Sequence, residues 1–164
     1  MAAKCLIVYY SRTGTTQMAA EALAAALQAD AERLSDGRSR RGVLGWVQAG
    51  VESLTGVTAP LAPLWHNPSA YELVIVGTPV WVNRASTPVR AFLRLMRGKA
   101  TRLAFFTVCG TQGGDRALAQ MAALAGVGPV ATLELTQSEV ALGACREKLD
   151  AFVRALPVPA AAAG

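Results

Sequence analysis

The stretch that decides the fold is Cys5-Leu6-Ile7-Val8-Tyr9-Tyr10-Ser11-Arg12-Thr13-Gly14-Thr15-Thr16. Its first half, residues 5–10, is a short apolar run of the kind found in strands buried on both faces. Its second half is a hydroxyl-rich turn, and residues 17–23 after it read as a helix. Such a turn suits a phosphate group, because free backbone N–H groups and the positive end of the helix dipole meet there. Four hydroxyls could also donate to phosphate oxygens, those of Ser11, Thr13, Thr15 and Thr16.

The turn lacks the two common nucleotide-binding motifs. It has no G-x-x-x-x-G-K-[ST], so no lysine can reach a β- or γ-phosphate, and it has no G-x-G-x-x-G for a pyrophosphate. A single phosphate monoester therefore fits better than a nucleoside triphosphate or a dinucleotide. An ordinary helix N-cap explains the turn equally well by itself, since Ser and Thr are common at that position.

The composition indicates one α/β domain. The chain has 164 residues, of which 52% are hydrophobic and 16% charged, a balance that suits a sheet buried on both faces. No apolar run approaches the length of about 18 residues that spans a membrane, and the N-terminus lacks the pattern of a signal peptide. We therefore predict a cytoplasmic protein with no membrane insertion.

Cysteine and histidine usage argues against several other classes. The three cysteines, Cys5, Cys109 and Cys145, are widely spaced and form no C-x-x-C pair, so neither a disulfide framework nor a zinc site is predicted. His66 is the only histidine, which argues against a metal cluster and a Ser-His-Asp triad. We expect it to be a surface or packing residue.

Basic residues give the chain a net charge of +5, partly concentrated in residues 38–41 and 90–102. Phe92 is the single aromatic residue in these two runs, whereas a nucleic-acid groove would interleave several aromatic residues with its arginines. We therefore predict no nucleic-acid binding and interpret the charge as a solvated surface that attracts anionic ligands.

Strand and helix signals alternate along the chain. The apolar runs predict strands at 4–10, 31–35, 72–78, 102–109 and 130–136, and the helical patterns lie at 15–28, 43–54, 86–97, 114–125 and 138–156. Five β-α pairs in strict alternation indicate a doubly wound parallel sheet with helices on both faces. We predict a single domain over residues 1–156 and a disordered tail at 157–164.

Two further loops should share a site with the first turn, because ligands of such sheets bind outside the carboxyl ends of the strands at the switch point. The loop at 77–86 offers a flat aromatic ring, Trp81, between two valines. The glycine-rich loop at 109–114 lets backbone groups approach a ring edge closely. Taken singly, Trp81 could be core packing and the glycines plain turns. Their coincidence at one edge favours a pocket for the phosphate and ring of flavin mononucleotide (FMN).

The chain resembles the flavodoxin-like FMN proteins over about residues 4–156. Residues 10–16 match the family's (S/T)-x-T-G-x-T phosphate loop, and residues 77–81 match its G-(S/T)-P-(I/V)-W loop. The resemblance implies a three-layer sandwich with a five-stranded parallel sheet in the order 2-1-3-4-5. It also implies FMN phosphate on the first loop and the ring between the other two. The cofactor-binding residues are then Ser11, Arg12, Thr13, Gly14, Thr15, Thr16, Thr78, Pro79, Val80, Trp81, Val82, Asn83, Cys109, Gly110, Thr111, Gln112, Gly113 and Gly114.

Two departures from the family bear on function. Flavodoxins that act only as electron carriers usually have a tyrosine in the third loop and are strongly acidic, whereas residues 109–116 contain no tyrosine and this chain is basic. An open flavin face would leave room for a quinone or a nicotinamide. We therefore predict flavin-mediated electron or hydride transfer, with a quinone-like or other flat small substrate and with NAD(P)H as a candidate reductant. The alternative is an electron carrier between protein partners. A homodimer also stays open.

Several residues keep two interpretations. Arg84 either reaches the N1/O2 side of the ring, where it would favour negative charge on the reduced ring, or is solvated. Residues 109–116 look like a phosphatase C-x-x-x-x-x-R loop, but the spacing is one residue too long. Trp46 and Trp65 could line a substrate approach, although burial against the sheet is the favoured interpretation.

Overall fold

The structure, a computed structural model, describes residues 4–35, 61–99 and 101–157. The predicted helix at 43–54, Trp46 and the tail from residue 158 lie outside the described residues.

Twelve elements follow one another in the described residues. They are β1 (Cys5–Tyr9), α1 (Thr15–Leu27), β2 (Asp30–Arg33), a 3₁₀ turn (Pro68–Ala70), β3 (Leu73–Trp81), β4 (Arg84–Ala85), α2 (Thr87–Met96), β5 (Arg102–Cys109), α3 (Gly114–Ala125), β6 (Thr132–Thr136), α4 (Gln137–Ala141) and α5 (Arg146–Ala155). Among these residues, no helix combines the length and the apolar character needed to cross a membrane.

The main sheet has five parallel strands in the order β2-β1-β3-β5-β6. Counted over the parallel strands alone, this is the predicted order 2-1-3-4-5, and the doubly wound fold is confirmed. The sixth strand, β4, pairs antiparallel with the end of β3 and was not predicted. It forms because β3 continues to Trp81, beyond the predicted strand end at residue 78.

Alternate strand residues build two cores, one on each face of the sheet. Ile7, Ile75 and Phe106 lie in the core that also takes residues of α1 and α5. Val76 and Phe105 lie in the opposite core, which takes residues of α2 and α3. Both faces of each central strand are therefore buried, which explains why the strands read as continuous apolar runs.

The predicted helix at 138–156 is two helices in the structure. A capping box starts α4: the Thr136 hydroxyl accepts from the N–H of Glu139, and the Glu139 carboxylate accepts from the N–H of Thr136. The short α4 ends at Ala141, and Gly143 follows with φ 68°, a left-handed conformation that stops helices. The 3.6-residue periodicity continues across this break, so the pattern alone did not reveal it.

Residues 61–71 run along the outer side of β2 and are held by Glu32. This buried carboxylate accepts from the backbone N–H of Trp65 at 2.6 Å and of His66 at 3.0 Å, and it lies 2.9 Å from His66 Nδ1. His66 is thus a structural residue. The expectation that Trp65 is buried is wrong: its side chain is 94% exposed, because its backbone N–H faces β2 and its indole turns to solvent.

Candidate functional site

The phosphate loop, residues 11–16, joins β1 to α1 through Gly14. Gly14 has φ 100°, a left-handed conformation that favours glycine. It is the N-cap residue of α1, and no side chain there accepts a hydrogen bond from the first turn of the helix. The Ser11 Oγ atom, buried, accepts from the Gly14 N–H at 3.1 Å. The first intrahelical bond runs from the Met18 N–H to the Gly14 carbonyl, so the N–H groups of residues 15–17 have no helical partner. The loop therefore presents donors at a helix N-terminus that no other described residue uses.

Arg33 supports the phosphate loop from the neighbouring strand. Its Nη2 donates to the backbone carbonyl of Ser11, which ties the end of β2 to the start of the loop. The contact also brings a guanidinium charge to the phosphate loop, whose first helical turn holds no acidic residue. Sequence reasoning missed Arg33. The available signal was its position at the end of β2, beside the switch point of the sheet.

The second loop is a tight hairpin between β3 and β4, with Trp81 paired to Arg84. Its two turn residues, Val82 and Asn83, have φ 50° and 61°, the pattern of a type I′ turn. Valine is a poor choice there, because a β-branched side chain in the left-handed region is strained by about 1–3 kcal/mol. Val82 is nevertheless 91% exposed, so no core packing explains it.

Val82→Asn should therefore stabilise the protein without cofactor by about 1 kcal/mol, since asparagine suits this turn position. Denaturant unfolding of the apoprotein measures the difference. The matched control is Val127→Asn, because Val127 is also exposed but has no positive φ. We expect that control to stay within about 0.5 kcal/mol of the parent. Equal effects at both positions would contradict backbone strain at Val82.

Trp81 connects the hairpin to the phosphate loop. Its ring lies edge-on to Tyr10, with centroids 5.7 Å apart and an interplanar angle of 90°. Tyr10 follows β1 directly, so this contact joins the first and second loops. Trp81 remains 36% exposed, which leaves part of the indole open to a ligand.

Internal hydrogen bonds anchor the hairpin to the core. The Thr78 hydroxyl is fully buried, accepts from the Ser86 N–H at 2.9 Å and lies 3.1 Å from Ser86 Oγ. The Ala85 N–H donates to Gln120 of α3 at 3.0 Å. Pro79 is buried as well. Thr78 and Pro79 therefore position the hairpin, and the accessible part of this loop is residues 81–84.

The third loop follows β5 and meets the hairpin at Gly113. Gly113, the N-cap of α3, has φ 99°, and a Cβ there would overlap Asn83 Oδ1 and lie 3.3 Å from Asn83 Cα. Residues 110–112 are exposed. A Cβ on Gly110 would meet no atom within 4 Å, so this loop borders open space. The structure thus brings all three predicted loops together at one sheet edge.

Cys109 belongs to β5 and not to the accessible loop. Its thiol is buried, and its Sγ lies 3.5 Å from the carbonyl of Leu135. Burial and the charge of Glu134 raise the pKa of Cys109, which keeps the thiol protonated at neutral pH. A phosphatase nucleophile must be a thiolate, so the structure gives no support to that interpretation of residues 109–116.

A family model described as flavodoxin matches residues 4–128. The chain belongs to the flavodoxin family. The match includes the phosphate loop, the hairpin and the third loop. The resemblance read from residues 10–16 and 77–81 is therefore confirmed. Among curated proteins, a search finds no sequence that matches this one.

Solved structures of flavoproteins share the fold of this flavodoxin-family chain. A flavoprotein from Lactobacillus acidophilus NCFM, solved in complex with FMN, has 20% identity and a TM-score of 0.62, over 86% of this chain and 98% of its own. A protein from Bacteroides eggerthii DSM 20697, proposed to be a flavoprotein, has 21% identity and a TM-score of 0.67, over 92% and 98%. An NADH:FMN oxidoreductase in its apo form has 16% identity and a TM-score of 0.54, over 91% and 88%.

Proposed function

We propose that the protein binds FMN at the carboxyl ends of β1, β3 and β5 and acts as an FMN-dependent oxidoreductase on a flat small substrate, with a quinone as the first class to test. Family membership and the FMN complex of the Lactobacillus acidophilus neighbour support the cofactor. FMN, when bound, supplies the transfer of electrons or hydride. The protein supplies binding, orientation and electrostatics.

The residues present fit FMN. The N–H groups at the start of α1 that have no partner among the described residues suit the phosphate, and Thr13 and Thr15 of the same loop are exposed and half-buried. The partly exposed indole of Trp81 offers an apolar surface to a planar ring. Backbone groups of residues 110–113 can reach polar ring atoms, because no side chain stands in front of Gly110.

One observation carries the choice of an enzyme over a carrier: the third loop leaves its side of the site open. Residues 110–114 contain no aromatic side chain, and Gly110 borders open space. A flavin face without a stacked aromatic ring is accessible to a second flat molecule. The NADH:FMN oxidoreductase among the structural neighbours supports a nicotinamide nucleotide as reductant.

Stopped-flow spectroscopy of the FMN-loaded protein tests the proposal. Under anaerobic conditions, NADH or NADPH should bleach the flavin absorbance at about 1 s⁻¹ or faster, and a soluble benzoquinone should restore it. Free FMN at the same concentration is the control. If neither nucleotide bleaches the flavin faster than it bleaches free FMN, and the quinone does not oxidise the dithionite-reduced protein, the electron-carrier alternative replaces the enzyme.

Two further parts of the proposal are a single domain over residues 1–156 and a cytoplasmic location, and both remain predictions. Whether the protein is a monomer or a homodimer stays open. Sedimentation velocity of the FMN-loaded protein decides the oligomeric state.

A further inference from the structure

Three arginines line one open pocket beside the hairpin. Arg84 comes from β4, Arg90 from the first turns of α2 and Arg116 from the first turn of α3. The pocket has a volume of about 630 Å³ and is also bordered by Trp81 and residues 82–83. It therefore adjoins the part of the hairpin proposed to contact FMN. We call it the arginine pocket.

The positive charge of the arginine pocket is not neutralised by the described part of the protein. None of its three arginines forms an ion pair with a described residue. Arg90 donates to the Thr87 hydroxyl through Nη2 at 3.0 Å, but its buried Nε has no partner there. Burial, together with the charges of Arg94 and Arg84, lowers the pKa of Arg90. Arg90 is thus repelled by the charges of Arg84 and Arg94, and no described residue forms an ion pair with it.

Helix stability does not explain this arrangement. Arg90 and Arg116 stand near the N-termini of α2 and α3, where the helix dipole is positive and cations are unfavourable. The first turn of α2 contains no acidic residue that could offset the charge of Arg90, whereas the first turn of α3 contains Asp115 beside Arg116. Such a cluster is unfavourable for the folded protein alone, and an anionic ligand would relieve the repulsion.

We propose that the arginine pocket binds the phosphate groups of a small redox substrate while the flat part of that substrate reaches the cofactor beside Trp81. Guanidinium groups bind phosphate oxygens through paired, charge-assisted hydrogen bonds. The pocket volume lies within the range of about 300–1,000 Å³ that small-molecule sites occupy. This inference rests on the proposed function and names the substrate class for the same site.

The phosphate could belong to either of two substrates. In a reduced nicotinamide nucleotide, the dihydronicotinamide ring gives a hydride to the flavin and leaves as the oxidised nucleotide, so two electrons and one hydrogen are transferred. A phosphorylated acceptor would instead be reduced: it would take the two electrons from the reduced flavin, together with protons from water. Both would place phosphate among the arginines.

Calorimetric titration of FMN-saturated protein with inorganic pyrophosphate tests the pocket directly. Saturation with FMN keeps the phosphate loop occupied, so the probe reports on another site. We compare the parent with Arg84→Gln/Arg116→Gln, whose two arginines are exposed. The matched control is Arg102→Gln/Arg154→Gln, which removes two exposed charges outside the pocket. Binding should weaken by about 10- to 100-fold in the first variant and by less than about 3-fold in the control.

Reduction kinetics identify the source of the phosphate. NADPH and NADH are compared with 1-benzyl-1,4-dihydronicotinamide, which carries no phosphate. If the nucleotide supplies the phosphate, Arg84→Gln/Arg116→Gln raises the half-saturating concentration of the nucleotide by a factor at least about 10 times larger than any change it causes with the benzyl compound, which is the reference for effects on the flavin itself. If Arg84→Gln/Arg116→Gln weakens pyrophosphate binding but does not change the half-saturating concentration of either nucleotide, the site holds a phosphorylated acceptor.

The outcomes also separate the inference from the proposed function. Failure of the parent to bind FMN overturns both. If FMN binds and is reduced by the benzyl compound, but pyrophosphate does not bind or binds the parent and the Arg84→Gln/Arg116→Gln variant equally, only the arginine pocket is wrong. The cluster would then be a surface for an acidic partner protein, as in the carrier alternative.

Discussion

Replacing Thr13 and Thr15 with alanine should weaken FMN binding by at least about 100-fold while leaving riboflavin binding unchanged. Each hydroxyl can donate to the FMN phosphate, and a hydrogen bond to a charged group contributes about 1.5–3 kcal/mol. Riboflavin has the same ring without the phosphate, so it loses nothing when these hydroxyls are removed. Thr13 is exposed and Thr15 half-buried, so alanine leaves no cavity in the core.

Fluorescence titration of the apoprotein with each flavin measures both affinities. Thr132→Ala is the control. Thr132 is also exposed, but it begins β6, the outermost strand, which β3 and β5 separate from β1. We expect it to leave both affinities within about 2-fold of the parent. An equal loss of FMN and riboflavin binding in the double variant would mean that the phosphate lies elsewhere.

Gly77→Ala should lower the free energy of unfolding by about 2–3 kcal/mol, the largest effect on stability that we expect. Gly77 is buried in β3, where it pairs with Phe106 of β5. A Cβ there would overlap the Phe106 ring, which is itself fully buried in the core. Either the ring or the two strands must shift.

Denaturant unfolding of the apoprotein measures this loss, with Gly128→Ala as the control. A Cβ on Gly128 would meet no atom within 4 Å, so Gly128→Ala should change the free energy of unfolding by no more than about 0.5 kcal/mol. The losses in the free energy of unfolding caused by Phe106→Leu and Gly77→Ala should not add in the double variant, because the smaller leucine side chain makes room for the alanine methyl group. Additive effects would show that the ring is not what excludes a side chain at residue 77.

The sequence alone predicted the parallel sheet and the convergence of three loops at the carboxyl ends of its strands. Strands such as β1 and β5 are buried on both faces, so their residues are nearly all apolar, and that pattern is visible without a structure. The topology then placed three loops at one edge. The Asn83–Gly113 and Tyr10–Trp81 contacts confirm that these loops meet.

Other features depended on contacts between residues distant in the sequence. The strand β4 has two residues and pairs through its backbone, so no side-chain pattern marks it. Arg33 binds a carbonyl 22 positions earlier, and sequence does not specify such a partner. The arginine pocket combines a strand and two helices. No spacing in the sequence shows that its three arginines meet.

Titration of the purified apoprotein with FMN tests the central claim most directly. The flavin fluorescence should be quenched with one FMN per chain and a dissociation constant of about 1 μM or lower, and riboflavin should bind at least about 100-fold more weakly. These two affinities would show that binding depends on contacts with both the phosphate and the ring of FMN. Failure to bind FMN at about 100 μM, or equal affinity for FMN and riboflavin, would contradict the account.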